Sequence, residues 1–440
     1  MQVEAQTLQG RWWIAGKPEK RVNGALEIEA SGSTKITLFF DDEHSDRDFL
    51  SIGKVITIPY ILEIPRLVGL LHNGKVVTAD HLSCHWNGMN NRIVKYACHP
   101  RYICLSLVDF GTEELKPTNI FIEVDGLDAF VDISGFKYKC DIKTDEQNKL
   151  TSAVFETTYT NPSHVELFTD GDISLHAHFG FEESSGFSEA SIKQTTRFRV
   201  NSETPLSVSD WWVKIRSLNQ ILCLLYGQPL PLKSVQSSYK SEGKEETLDF
   251  ISYSEPNPQS DIKPFSGNLL FRRTDAQDMT DGLLKEFVKL REEYHLIFDA
   301  FFSSKFTDNQ YIATRFFMIA KALEGFHRLL KCNNNKTGKR IGLKTRLDEL
   351  LTDFETLSNC SYEWGDISKR VTSLRDQEAH LMKTSQNYDA SDMHQITQKL
   401  HVVFAILFLA EATKRANHKF PSEWITGNSW ITQNLPKKHR

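Results

Sequence analysis

Arg375 and His380 stand five positions apart in the stretch Leu374-Arg375-Asp376-Gln377-Glu378-Ala379-His380-Leu381, in the last third of a 440-residue chain. Arginine stays charged at every working pH, and its planar fork matches a phosphate. Histidine titrates near neutrality, so it can take a proton from a ribose 2′-OH or return one to a leaving oxygen. The pair suits cleavage of RNA without a metal. Five steps at 100° per residue leave the two side chains roughly 140° apart on a regular helix. Both reach one phosphate only if the helix bends or ends there, or if a second copy of the motif supplies the partner. The alternative is structural: an exposed arginine and a partly buried histidine with ordinary hydrogen bonds.

Other residues near the motif can join such a site. Glu324 and His327 lie at i, i+3 in Ala322-Leu323-Glu324-Gly325-Phe326-His327-Arg328, beside an apolar stripe, where they can pair with each other. Lys331, Lys336, Lys339, Arg340, Lys344 and Arg346 form a run without an acidic residue, which reads as a solvated loop or as a phosphate contact. Cys84-His85, Cys98-His99 and Cys104 have zinc-ligand chemistry but lack the C-x(2–4)-C spacing of common sites. Buried cysteines in strands are the preferred reading. There is no Gly-rich phosphate loop, Ser-His-Asp grouping or H-E-x-x-H, so nothing supports an ATPase, a serine hydrolase or a zinc protease.

The elements that must position these residues follow from periodicity. From Asp281 onward apolar residues recur at helical spacing, giving five amphipathic helices: Leu284 to Phe301, Ile312 to Leu330, Leu343 to Leu357, the motif helix capped by Asp366 and carrying Ile367, Val371 and Leu374, and Ile396 to Ala410. Short connections make these a bundle. The first two hundred residues instead alternate at period two. Strands are expected at Ala25–Ala30, Lys35–Phe40, Ile103–Phe110, Ile120–Val124, Phe130–Ile133, Lys137–Ile142, Ile173–Phe179 and Gln194–Val200, with Asn73-Gly74 as the clearest hairpin turn. An acidic loop spans 41–46, and one helix, capped by Ser207 or Ser209 and ended by Gly227, interrupts the pattern. Residues 231–280 are mixed and hold the linker prolines Pro256, Pro258 and Pro264. The expected fold is α+β and multi-domain: a β-rich unit over 1–275, as an antiparallel sandwich or curved sheet, then an all-α bundle over 276–440.

Composition sets bounds. Net charge is −5, which excludes a generic polyanion binder, but from Asp281 to the end Lys and Arg outnumber Asp and Glu by 24 to 19. The basic third is thus the part suited to nucleic acid. Seven cysteines without a framework fit a reducing, cytoplasmic setting. The longest apolar run, Val402 to Ala410, is too short for a membrane span.

Arg375 to His380 resembles the R-x(4–6)-H signature of HEPN domains, with a polar residue directly after the arginine. Ala322 to Arg328 resembles the A-L-E-x-[FY]-H-R helix of the ApeA-like HEPN branch. The long first region is similar to the β-rich domain that precedes the HEPN in ApeA-type anti-phage proteins. The resemblance implies a helical bundle, usually dimeric, that cleaves RNA without a cofactor, tRNA in several relatives, as an abortive-infection effector. It implies Arg375 and His380 as the catalytic pair and adds weight to Glu324 as a polar residue lining the site, while Asp376 would orient Arg375 or His380. Lys336, Lys339, Arg340 and Lys344 of the adjoining basic run are the candidate RNA contacts. The first domain would restrain the nuclease or answer a phage-encoded trigger, with no membrane involved. Phe316, Phe317, Phe404 and Phe408 offer apolar surface for a homodimer face. Two rivals stand beside this: a non-catalytic HEPN used for dimerisation or nucleotide binding, and an enzyme in residues 1–280 that the bundle merely dimerises.

Overall fold

The computed structural model describes residues 5–29, 32–40, 54–55, 61–90, 93–144, 150–185, 190–241, 244–252, 266–306, 310–332, 341–380 and 390–435. The acidic loop 41–46, the proline-bearing linker 253–265 and Lys336, Lys339 and Arg340 lie outside the described residues, as do the side chains of 377–380.

The alternating residues of the first hundred positions form β1 (Gln6–Ile14), β2 (Val22–Ile28), β3 (Thr34–Phe40), β4 (Lys54–Val55), β5 (Ile61–Leu71), β6 (Val76–Asn90) and β7 (Ile93–His99). Pairing runs β1–β2–β3–β7–β6–β5 and back to β1, antiparallel throughout, so six strands close into a barrel. Closure leaves those strands no open edge. Trp12, Leu26, Ile36, Leu38 and Leu67 are fully buried in its core. Trp12 lies against Gly24 and Gly69, where an added Cβ would sit 2.6 and 2.5 Å from the indole. Both glycines are there for space. Asn73-Gly74 turns β5 into β6, with Gly74 at φ 84°.

Cys84 and Cys98 oppose each other on β6 and β7 and are joined as a disulfide. Both are buried in strands, as expected, while the bond between them departs from the reading of seven cysteines without a framework. Directly opposed residues of antiparallel strands share a face at close range, a relation that positions 14 apart do not reveal. The bond also spends two of the candidate zinc ligands, and among the described residues no cluster of three or more metal-ligating side chains occurs.

β6 is the branch point of the sheet. Its first residues, Val76–Asp80, also pair with β8 (Tyr102–Ser106). From there the order continues through β16 (Lys244–Ser252), β15 (Leu232–Ser241), β9 (Asn119–Val124), β14 (Ala190–Ser202), β13 (Ile173–Ser185) and β12 (Val165–Asp170). β10 (Phe136–Thr144) and β11 (Leu150–Tyr159) form a separate ribbon. The strand expected at Phe130–Ile133 is instead the end of a short helix, α1 (Leu127–Val131). Gly126 starts it at φ 81°, and Leu127, Phe130 and Val131 bury one face at helical spacing. α2 (Val208–Tyr226) begins at Ser207, whose hydroxyl accepts the Asp210 N–H at 3.2 Å, and ends at Gly227 with φ 67°.

The bundle comprises α3 (Gln277–Glu293), α4 (His295–Phe306), α5 (Ile312–Cys332), α6 (Leu343–Ser358), α7 (Ile367–His380) and α8 (Ala390–Arg415), followed by short α9 (Glu423–Thr426) and α10 (Ser429–Asn434). The one helix expected over 284–301 is two, broken at Tyr294. α8 is long and apolar enough to cross a membrane, yet 78% of its most apolar stretch is buried inside the protein. That burial has a further consequence: Phe316, Phe404 and Phe408 are fully buried within one chain. They are core, not a free dimer face. The core itself is unbroken from the β9–β14 part of the sheet through α2 into α8. At the expected boundary near 275, Arg291 of α3 donates to Gln220 of α2 at 2.9 Å, and Lys285 and Lys289 pair with Asp170 at the end of β12.

A buried histidine ties stability to pH. Ser304 donates to the Arg315 carbonyl at 2.6 Å, so His401 Nε2–H donates to Ser304 Oγ at 2.8 Å, leaving a buried Nδ1 without a partner. Burial, with Lys305, Arg315 and His394 adding, holds His401 well below the ordinary imidazole value. Below pH ~6.5 the unfolded chain binds a proton there that the folded chain refuses, so stability falls as pH drops. We expect chemical denaturation between pH 8 and 5 to show this loss. His401→Gln, which keeps the donor, should reduce the slope by up to about 1.4 kcal/mol per pH unit.

Candidate functional site

The motif helix is placed by its neighbours. Val371 and Leu374 of α7 are buried in the bundle. The connection from α6 is pinned by Glu355, whose Oε1 accepts the Tyr362 N–H and the Trp364 indole N–H, each at 2.9 Å. At the other end, Arg370 reaches Asp392 at the start of α8, at 2.7 Å. α7 is helical from Ile367 to His380, so the two motif residues belong to one helix, whose described extent ends at His380.

Arg375 is 31% exposed and points toward α5. Its Nη2 donates to Glu324 Oε2 and its Nη1 to Asp376 Oδ1, each at 2.9 Å. Glu324 uses its other oxygen to accept from Arg328. Burial pulls the Arg375 pKa down, but the bonds to Asp376 and Glu324 outweigh it and hold the guanidinium above its ordinary value. Two of its five N–H groups serve these carboxylates, which leaves three for a phosphate. Arg328, Glu324, Arg375 and Asp376 therefore make a chain of alternating charge across α5 and α7. A phosphate entering it must compete with carboxylates for the same fork.

Glu324 and His327 do not pair, contrary to one expectation. They diverge to different helices, Glu324 to α7 and His327 to α6. His327 is fully buried; its Nδ1 accepts from Arg346 Nη1 at 3.1 Å, so its Nε2–H donates to Glu349 at 2.7 Å. Arg346 also donates to the Ile341 carbonyl at 3.0 Å and is itself fully buried. Of the basic run, then, Arg346 is structural. Lys331 pairs with Asp353 at 2.9 Å and Lys344 with Asp348 at 2.8 Å, both on exposed surface. These partners come from α6, one or more turns further on, and a search of the run for internal acids does not find them. The structural roles of Arg346 and Glu349 left no sequence signal beyond an i, i+3 spacing. The His380 side chain, with Lys336, Lys339 and Arg340, lies outside the described residues.

The family model for ApeA N-terminal domain 1 matches residues 7–286, and the Apea-like HEPN model matches residues 317–417, which spans Glu324, Arg375 and His380. The chain belongs to the ApeA-like HEPN family. No curated protein and no solved structure matches it. ApeA-like architecture makes this an anti-phage HEPN effector, and HEPN domains are usually ribonucleases that bind RNA and often act as dimers.

The division of the basic run is testable. Arg346→Ala removes the donor to the buried His327 Nδ1 and to the Ile341 carbonyl, and should cost about 3 kcal/mol in urea unfolding. Lys344→Ala, on an exposed i, i+4 pair, should cost at most ~0.5 kcal/mol.

Proposed function

We propose that this ApeA-like protein is a metal-independent endoribonuclease. The observation that supports it best is the half-exposed Arg375 fork, held by carboxylates at the surface of the motif helix with donors to spare. In this reading Arg375 holds the scissile phosphate and stabilises the charge that builds as its phosphorus becomes five-coordinate. His380 removes the 2′-OH proton. The 2′ oxygen then bonds to phosphorus, the bond to the 5′ oxygen breaks, and a second imidazole protonates the leaving oxygen. The products are a 2′,3′-cyclic phosphate and a 5′-hydroxyl. Asp376 and Glu324 position Arg375 and keep its fork occupied until RNA arrives.

One motif offers one histidine, and the reaction needs a base and an acid. A twofold dimer, the commonest oligomer of soluble proteins, puts a second copy's His380 and Arg375 across the same phosphate. The substrate class is RNA, with tRNA the first candidate by family habit, and Lys336, Lys339, Arg340 and Lys344 as phosphate contacts. The effector acts in abortive infection, and the β-rich part restrains or triggers it through α2 and α3, whose contacts with the sheet and bundle are continuous.

Incubating the full chain with total tRNA in EDTA should yield fragments with 5′-hydroxyl ends, absent with His380→Ala. A strict need for Mg²⁺, or 5′-phosphate ends, would sink the mechanism. Mixed dimers of wild type and His380→Ala should lose far more than half the activity, whereas a fully active monomer by light scattering would refute shared sites. Glu324→Gln should weaken the hold on Arg375 and tighten RNA binding, while Glu324→Ala tests whether positioning is lost along with restraint.

A further inference from the structure

Two ribbons project beside each other from the β12 end of the sheet. One is β10–β11, which pairs with no other strand among the described residues. The other is the far half of the β13–β14 hairpin, since β12 covers β13 only over Ile173–Ala177 and β9 covers β14 only over Phe198–Asn201. The two are joined at their bases. Gln194 of β14 accepts the Gly135 N–H and donates to the Ile133 carbonyl, each at 2.8 Å, and the Tyr159 ring packs on Phe181 at 5.6 Å.

Opposed residues of an antiparallel pair share a face, so one face of β10–β11 carries Tyr138, Cys140 and Ile142 opposite Thr157, Phe155 and Ala153. The opposite face carries Lys137, Lys139, Asp141 and Glu156. The ribbon is amphipathic, yet its apolar face is uncovered: Tyr138 is 77% exposed, Phe155 75% and Ile142 61%. Beside that face lies a cleft of about 820 Å³, lined by Phe136, Tyr138 and Ile192, by Asp128 and Asp132 of the α1 region, and by Lys193, which pairs with Glu182 at 3.3 Å. Ile192 is itself 48% exposed.

We propose that this cleft docks an extended segment of a partner polypeptide, apolar at alternate positions and bearing a lysine or arginine at one end. Three features select that occupant. The Ser191–Gln194 stretch of β14 is a strand whose outer edge lies beyond the reach of β9, so it offers backbone groups to an added strand. Phe136, Tyr138 and Ile192 give the mixed lining an apolar part, which suits every second side chain of that strand. Of the charged lining, Lys193 is paired with Glu182 and Asp132 with Arg272, and the exposed Asp128 carboxylate has no ion-pair partner among the described residues, which favours a cation over a nucleic-acid backbone. Asp132 also holds Arg272 at 3.2 Å and Thr274 at 2.8 Å, just before α3 begins. A guest cation that competes for Asp132 is therefore felt where the chain enters the bundle. The site stands apart from the ribonuclease reading and is tested by binding alone.

The full chain is applied to an array of random decapeptides, and the best binders are titrated by fluorescence anisotropy. The expected selection alternates Val, Ile, Tyr or Phe with polar residues and places Lys or Arg at one end. Ile192→Lys or Tyr138→Lys should weaken binding about tenfold or more. Asp128→Asn should weaken the lysine-bearing peptide while leaving its glutamine version unchanged. All three positions are exposed, and matching melting temperatures verify the fold of each variant. The proposal is overturned if no peptides are selected, or if those selected bind Ile192→Lys equally well. It is overturned equally if the selected peptides are displaced by RNA or anionic vesicles. A dimer that Phe155→Lys dissociates would give the face to a second copy instead.

Discussion

Burial of α2 is the constraint on which the rest of the molecule depends. Trp211, Trp212, Ile215, Leu218, Leu222 and Leu225 are all buried, and between them they leave the helix no dry face of its own. The side toward the sheet is fixed by two hydrogen bonds: the Trp211 indole to the Pro117 carbonyl at 2.9 Å and the Tyr226 hydroxyl to the Gly126 carbonyl at 2.7 Å. The side toward the bundle meets α3. Gly227 closes the helix with its α-carbon against the Trp430 ring, where a Cβ would sit 2.5 Å from the indole. An apolar helix with partners on both sides cannot be left by one of them without exposing several large side chains, each contributing about 1.5–3 kcal/mol when buried. Movement between sheet and bundle is therefore expected at the polar contacts around it rather than by separation.

Several of those contacts are ionic: Asp170 meets Lys285 and Lys289, Asp132 meets Arg272, and Lys214 meets Glu292, while the buried Arg291 spans Gln220 and Asp299. The pairs on the surface are weak and exchangeable. The same logic holds at the candidate site. Arg375 sits in a chain of carboxylates and guanidiniums, so a phosphate that takes the donors bonded to Asp376 or Glu324 trades one charge-assisted bond for another.

The motif geometry places a different demand on the molecule. α7 is helical as far as His380, and its buried residues Val371 and Leu374 fix the side on which Arg375 meets α5. The aromatic residues first credited with a dimer face, Phe316, Phe404 and Phe408, are consumed by the protomer's own core. In the proposed dimer the joining surface would draw on other, exposed residues.

The sequence by itself determined the class of each part and the identity of the motif. Helical periodicity after Asp281, period-two alternation before position 200, the Ser207 cap, the Gly227 stop and the Asn73-Gly74 turn are local signals, set by side-chain sterics and by hydrogen bonds spanning a few residues. R-x(4)-H and A-L-E-G-F-H-R are local in the same sense and carried the family. Tertiary structure decided whatever depends on partners distant in the chain. It closed six strands into a barrel, because register between β1 and β5 is invisible to alternation. It turned Phe130 and Val131 into a helix, because a short apolar run fits either period until a core claims one face. It joined Cys84 to Cys98 across two strands. It sent Glu324 to Arg375 and His327 to Arg346, because residues three apart on one helix meet whichever neighbours pack against it, and sequence spacing does not name those neighbours.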